Sequence, residues 1–152
     1  MANQIPKTVI VSACLLGINC RYDSGNSLDN SLLEALSPPG EYILIPICPE
    51  QLGGLPTPRE SCEIHYGSGE DVLSGEARVI GLETGEDFTN NFTRGASETL
   101  KIARLFRCRK ALLKNNSPSC GAGKIYRNGV LVEGNGVTTA LLMKNTVTIE
   151  TL

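Results

Sequence analysis

The sequence predicts an α/β fold, a single-domain sandwich with a mostly parallel, Rossmann-like central sheet flanked by helices. Three observations predict it. Residues 8–13, 41–47 and 110–113 are short apolar runs without polar alternation, as expected of strands covered on both faces. Stretches of helical character separate them, which is the arrangement that parallel strands require of their crossovers. Each run then leads into a cysteine: Cys14 closes TVIVSAC, Cys48 closes YILIPIC, and Cys120 ends the loop that follows KALL. Side chains just past the carboxyl ends of strands in one parallel sheet converge on a single crevice, where open α/β sheets bind ligands.

The 152 residues are read as one domain, 1–152, long enough for a full hydrophobic core. Hydrophobic residues make up 41% and charged residues 20%, which indicates neither disorder nor a membrane span. A formal net charge of −2 supplies no electrostatic reason to expect a nucleic-acid polymer as partner. VSAC resembles the cleavage site of a lipoprotein signal, but only Val9 to Val11 precede it, against the roughly 7–15 apolar residues such a signal needs. A cytoplasmic location is therefore expected. There, six cysteines point to metal ligands, catalytic thiols or small buried groups rather than disulfides.

Taken in order, the first strand, 8–13, is followed by the loop LLGINCRYDSGNS. A helix starting near Ser27 or Leu28 carries Leu32, Leu33 and Leu36 inward and stops at Pro38, Pro39 and Gly40. After the second strand, residues 48–69 hold three prolines and form an irregular loop; loops of that length inside compact domains are usually functional. A short strand is expected at 77–82. Asp87 or Thr89 caps a long helix through Arg107, with Phe92, Ala96, Leu100, Ala103 and Phe106 on one face. The strand 110–113 leads into SPSCG. Residues 124–131 form a hairpin on the Asn128-Gly129 pair, GNGVTTALLMK opens a last helix, and 147–149 is a closing strand.

Three thiolates brought together cannot stay charged and unpaired, because repulsion and desolvation would reprotonate them. A cation resolves this, and soft sulfur ligands select zinc, Cu(I) or an iron–sulfur cluster. The absence of a CxxC pair argues against ordinary structural zinc. Three ligands from remote loops suit a centre with one open position, which can act as a Lewis acid. Glu50 lies two residues after Cys48, and Ser117 and Ser119 flank Cys120. A carboxylate beside such a crevice suits a general base, and a serine can relay or orient a proton.

Five segments, SACLLGINCRYD (12–23), ICPEQLGGLPTPRESCEI (47–64), GEDFTNNFTRGA (85–96), ALLKNNSPSCG (111–121) and GNGVTTALL (134–142), together resemble the thiouracil desulfurase family over nearly the whole chain. The resemblance implies a [4Fe-4S] cluster held by Cys14, Cys48 and Cys120 with one iron free to bind the sulfur of a small-molecule thiopyrimidine. It further implies a non-redox reaction: water activated by Glu50 adds to the ring carbon, Ser117 assists proton transfer with Ser119 as second choice, and sulfide remains on the cluster before release. One departure from the family pattern is Cys62, where the resemblance implies proline.

Blander roles compete with these. Cys20, Cys62 and Cys108 are expected to pack as small apolar groups, although Cys20 lies in the first functional loop. His65, the only histidine, has no nucleophile near it in sequence. Glu50 has Arg59 as an alternative ion-pair partner. Arg21, Tyr22 and Asp23 are placed at the pocket mouth, and Gly134 and Gly136 form either an anion-binding helix start or a plain loop. Two other classes of function stand beside the desulfurase: an iron–sulfur redox sensor or electron-transfer module, and a structural zinc protein.

Overall fold

The computed structural model describes residues 5–36 and 40–152. In chain order the first elements are β1 (Lys7–Ser12), α1 (Asn30–Ala35), β2 (Tyr42–Ile47), α2 (Pro49–Leu52), β3 (Cys62–Ile64), α3 (Gly69–Ser74) and β4 (Val79–Gly81). The second half adds α4 (Thr89–Leu105), β5 (Lys110–Leu113), β6 (Lys124–Arg127), β7 (Val130–Glu133), α5 (Val137–Lys144) and β8 (Thr148–Thr151).

The central sheet has four parallel strands in the order β2-β1-β5-β8. Chain order therefore reverses at β1, with β2 on one side and β5 on the other, which makes a switch point at its carboxyl end. Register matters here. Ser12 pairs with Ile47 and Val11 with Leu112, so β1, β2 and β5 end at nearly the same height and their following loops leave from a common rim.

Both faces of the sheet are covered at its inner strands β1 and β5, which is why these lack alternation, whereas the edge strands β2 and β8 are partly exposed. On one face Ile10, Ala111 and Leu113 pack against Leu100, Ala103 and Leu142 of the helices α4 and α5. On the other, Val9, Val11 and Leu112 pack against Leu32 of α1 and against Leu15 and Cys20 in the loop after β1. Each large side chain fully buried here contributes about 1.5–3 kcal/mol of transfer free energy. A third cluster holds Cys62, Ile64, Val79, Phe92, Ala96, Ile125 and Val137. It joins the antiparallel β3–β4 and β6–β7 ribbons to the amino-terminal half of α4. Among the described residues no helix is long and apolar enough to cross a membrane.

The strand β5 has the expected bounds, and the others differ from expectation by one or two residues at an end. Asp29 caps α1, its carboxylate accepting from Leu32 N at 3.1 Å. That helix is six residues long and buries Leu32, while Leu33 faces solvent. The expected stop at Pro38 and Pro39 lies outside the described residues. Phe106 is exposed because α4 ends at Leu105. Asp87 does not cap by the ordinary geometry; it accepts from Thr89 N at 2.8 Å, while Thr89 Oγ1 accepts from Val79 N and ties the helix start to β4. Asn128 and Gly129 both have positive φ, 51° and 74°, as a type I′ hairpin turn demands.

The largest difference is in residues 48–69. This stretch is not irregular throughout: it contains the one-turn helix α2 and the strand β3, and it runs to the start of α3. What holds α2 is close contact with α4. A Cβ placed on Gly53 would lie 2.0 Å from Asn91 O, and one on Gly95 would lie 1.9 Å from Pro49 O. Glycine at both positions lets the two backbones touch.

Candidate active site

The loops that leave β1, β2 and β5 wall a cavity of about 360 Å³. Cys14, Cys20, Cys48, Cys62 and Cys120 all line it, together with Ser12, Arg21, Glu50, Arg59, Lys114, Ser117 and Ser119. None of the cysteines is in a disulfide. The three cysteines singled out from the sequence thus meet in one space, although they are spread over 106 residues of chain, from 14 to 120.

Each donor has a separate local support. Cys14 lies in the short 3-10 turn Ala13–Leu16 that continues β1. Cys48 is the residue before α2, with Pro49 opening that helix as proline at a first helical position does. Cys120 is held from two sides: its N–H donates to Ser117 Oγ at 2.7 Å, and its carbonyl accepts from Thr139 Oγ1 at 2.7 Å. The amino terminus of α5 grips the same loop. Gly136 N, Val137 N and Thr138 N donate to the carbonyls of Gly121, Pro118 and Ser119 at 2.8 to 2.9 Å. GNG is therefore no anion site, since these donors are taken. A Cβ on Gly136 would lie 2.5 Å from the carbonyl carbon of Ser119, so only glycine allows this approach.

The thiols differ in their environment. Cys20 sits beside both Cys14 and Cys48; sharing its proton with their sulfurs lowers the Cys14 pKa and brings Cys48 down to about 6, while the Cys20 thiol itself is pushed far up. Burial pushes Cys120 up to about 12, opposed by hydrogen bonds from the Ser12 and Ser119 hydroxyls. Burial likewise raises Cys62 to about 12, with the Glu50 charge adding to it.

Glu50 stands at the first turn of α2 with its two oxygens in different roles. Arg59 Nε donates to Oε1 at 3.1 Å, and Ser119 Oγ donates to Oε2 at 3.1 Å. The ion-pair alternative for Glu50 is therefore real, yet it leaves Oε2 facing the cavity loop that carries Cys120. Ser117 Oγ lies 3.3 Å from Ser119 Oγ. Ser119 Oγ also lies 3.6 Å from Cys120 Sγ; its one proton serves either that sulfur or Glu50, and when it goes to Glu50 the Ser117 hydroxyl donates to Ser119, giving the order Ser117, Ser119, Glu50. Arg59 also donates to Cys20 O at 2.9 Å and to Pro56 O and Thr57 Oγ1 at 3.1 Å. One guanidinium thus binds the β1 loop to the β2 loop.

Other sequence candidates fall elsewhere. His65 is exposed, edge-on to Tyr66 at 6.1 Å, and lines no part of the cavity. Cys108 is buried in the core under α4. Arg21 and Tyr22 do line the mouth; Arg21 donates to Ser27 Oγ at 2.6 Å and lies 3.8 Å from Asp23. Two cavity residues had escaped the sequence reading. Ser12 is buried at the end of β1 and accepts from Lys114 N at 2.9 Å. Lys114 directly follows β5, its ammonium half-buried and donating to Asn115 Oδ1 at 2.5 Å. Burial lowers its pKa, and the nearby Arg21 charge acts in the same direction. Their signal was position alone: both stand at the carboxyl end of an apolar run, where a parallel sheet puts its ligands.

The donor chemistry fits a cluster. Sulfur ligands alone, approaching from three sides with no fourth protein partner in a CxxC pair, suit iron–sulfur ligation. Among the described residues no group of three His, Cys, Asp or Glu side chains is gathered tightly enough for one metal ion.

Comparison with known proteins agrees. The family model described as 2-thiouracil desulfurase matches residues 9–151. An uncharacterized protein YbbK of Bacillus subtilis (strain 168) is 42% identical over 137 residues, 88% of each chain. A solved structure described as the [4Fe-4S]-dependent thiouracil desulfidase TudS superposes with a TM-score of 0.81 at 40% identity, covering 95% of this chain and 90% of the other.

Proposed function

Because the chain belongs to the 2-thiouracil desulfurase family, we propose that it converts a thiouracil to the corresponding uracil with release of sulfide. It does so with a [4Fe-4S] cluster held by Cys14, Cys48 and Cys120. The observation that carries this reading is the convergence of those three thiols with the Ser119–Glu50 pair on one cavity.

Bound there, the cluster supplies a Lewis acid that polarises the carbon–sulfur bond of the substrate. The chain supplies the rest. Glu50 Oε2 takes a proton from the attacking water, and Arg59 keeps the carboxylate aimed by holding Oε1. Ser119 orients that oxygen through its hydroxyl, and Ser117 stands behind Ser119 to pass a proton along the same line. The non-redox balance is simple: the water oxygen forms the new bond to carbon, the sulfur departs with its bonding pair, and no electron acceptor is consumed. An electron-transfer module has no need of an acid–base pair beside its ligands, so the Glu50–Ser119 contact favours turnover over redox sensing.

Anaerobic reconstitution with iron and sulfide is the test. Brown protein that releases sulfide from 2-thiouracil or 4-thiouracil is expected. Protein carrying its full complement of iron but inert toward both would overturn the proposal.

A further inference from the structure

The charged groups of the cavity pair off with one exception. Glu50 is matched by Arg59 at 3.1 Å, and Arg21 lies 3.8 Å from Asp23 at the mouth. Glu63 is turned to the hairpin tip, where it accepts from Asn128 N at 2.8 Å and Gly129 N at 3.4 Å. Lys114 has no carboxylate partner among the described residues; its ammonium meets only the Asn115 amide. It is half-buried, lines the cavity, and lies within electrostatic range of both Cys14 and Cys120.

In the working site the Cys14 and Cys120 thiolates carry the opposite charge within its electrostatic range, and a further anion formed in the cavity would meet the same half-buried ammonium. Resting on the function proposed above, cleavage of the thiocarbonyl bond creates such an anion. Water adds its oxygen to carbon and gives one proton to Glu50, the second proton passes from that oxygen to the sulfur, and the sulfur leaves with the electron pair of the broken bond as the carbon–oxygen double bond forms. The leaving species at neutral pH is hydrosulfide, a compact monovalent anion born among thiolates that repel it.

We infer that Lys114 is the residue that holds the departing hydrosulfide, its ammonium offsetting the charge that bond cleavage brings into the cavity. Lys114 keeps its proton throughout and forms no covalent bond. Its position at the end of β5, with its N–H fixed on Ser12 Oγ at 2.9 Å, sets the ammonium on a rigid strand end rather than on a mobile loop.

The test compares iron-loaded wild type with Lys114→Met and Lys114→Arg, made anaerobically and matched for iron per chain. Two quantities are read: inhibition by added sodium hydrosulfide during turnover, and the midpoint potential in a redox titration without substrate. Lys114→Met should weaken hydrosulfide inhibition about tenfold and lower kcat roughly tenfold or more with KM little changed. Its midpoint should move to a more negative value, because a positive charge that favoured the reduced form is gone. Lys114→Arg should restore most of both. Lys114→Met with wild-type inhibition and an unmoved midpoint overturns the inference. Loss of iron from Lys114→Met alone supports a need for charge, whereas loss from Lys114→Arg as well overturns it in favour of packing. A wild type that loads iron yet releases no sulfide sinks the proposed function instead, and the midpoint comparison still reports on Lys114.

Discussion

Ser119 Oγ donates to Glu50 Oε2 at 3.1 Å across 69 residues of chain, linking the loop after β5 to the helix after β2. Both residues sit one or two positions from a thiol donor: Ser119 precedes Cys120 and Glu50 follows Cys48 at a spacing of two. The pair therefore cannot shift without moving a ligand. A hydrogen bond to a charged acceptor contributes about 1.5–3 kcal/mol, enough to fix the carboxylate against the Arg59 side.

The two serines are separable by experiment. Ser119→Ala removes the donor to Glu50 and should lower turnover on the order of 10–100-fold with iron content unchanged. Ser117→Ala removes the group behind Ser119 and the acceptor for Cys120 N, so it should lower turnover less than Ser119→Ala and add a cost of about 1 kcal/mol in stability with faster loss of iron. Sulfide release and iron retention, measured on both variants, distinguish the two; equal losses of turnover would put Ser117 in the proton path as firmly as Ser119.

Glu50 is best tested by Glu50→Gln. That variant keeps the Arg59 contact sterically and should stay brown while losing turnover. Glu50→Ala additionally strands a guanidinium that is 6% exposed. Breaking a buried pair typically costs about 3–5 kcal/mol, and the lower end is expected because Arg59 retains the Cys20, Pro56 and Thr57 oxygens. A denaturant midpoint equal to wild type for Glu50→Ala would contradict this.

The ligand assignment predicts a clean division among the cysteines. Cys14→Ala, Cys48→Ala and Cys120→Ala should each lose iron after anaerobic reconstitution. Cys20→Ser should retain it, despite lying beside Cys14 and Cys48, and Cys108→Ala should lose only packing energy. Iron per chain and the visible absorption band decide the matter for each; a colourless Cys20→Ser protein would make Cys20 part of the ligand set.

Gly95→Ala tests the seat of α2. The added Cβ meets Pro49 O at 1.9 Å, a backbone atom that cannot rotate away, so the one-turn helix must move. Overpacking of this kind costs about 1–3 kcal/mol, and it should reduce iron loading and turnover together although residue 95 touches neither. Unchanged iron content in a folded Gly95→Ala protein would show that α2 has room to yield.

Much of this was legible from sequence because the three long apolar runs have no competing pattern. Buried parallel strands are unbroken apolar stretches, and 110–113, bounded by Arg109 and Lys114, showed its bounds without error. Residues 48–69 resisted for the opposite reason. α2 is four residues long and β3 is three, both shorter than the periods by which helices and strands are recognised, and β3 pairs with β4 across a distance no local pattern encodes. Glu50 and the three cysteines were singled out as candidates by residue type, and all four line the cavity. Ser12 and Lys114 were not, because a serine and a lysine at strand ends look like ordinary termini until the sheet order places both at the rim. The choice between Ser117 and Ser119 turned on side-chain direction in a turn, which spacing alone does not carry.

The dependence of α2 on α4 has a consequence for how the protein is matured. A single helical turn does not persist in isolation, so Cys48 acquires its station only after α4, encoded some forty residues later, has docked against it. A nascent chain emerging from the ribosome can offer Cys14 but not the complete trio. On the proposed ligand set, an inorganic centre would therefore be received by a finished shell rather than by a string of loose thiols.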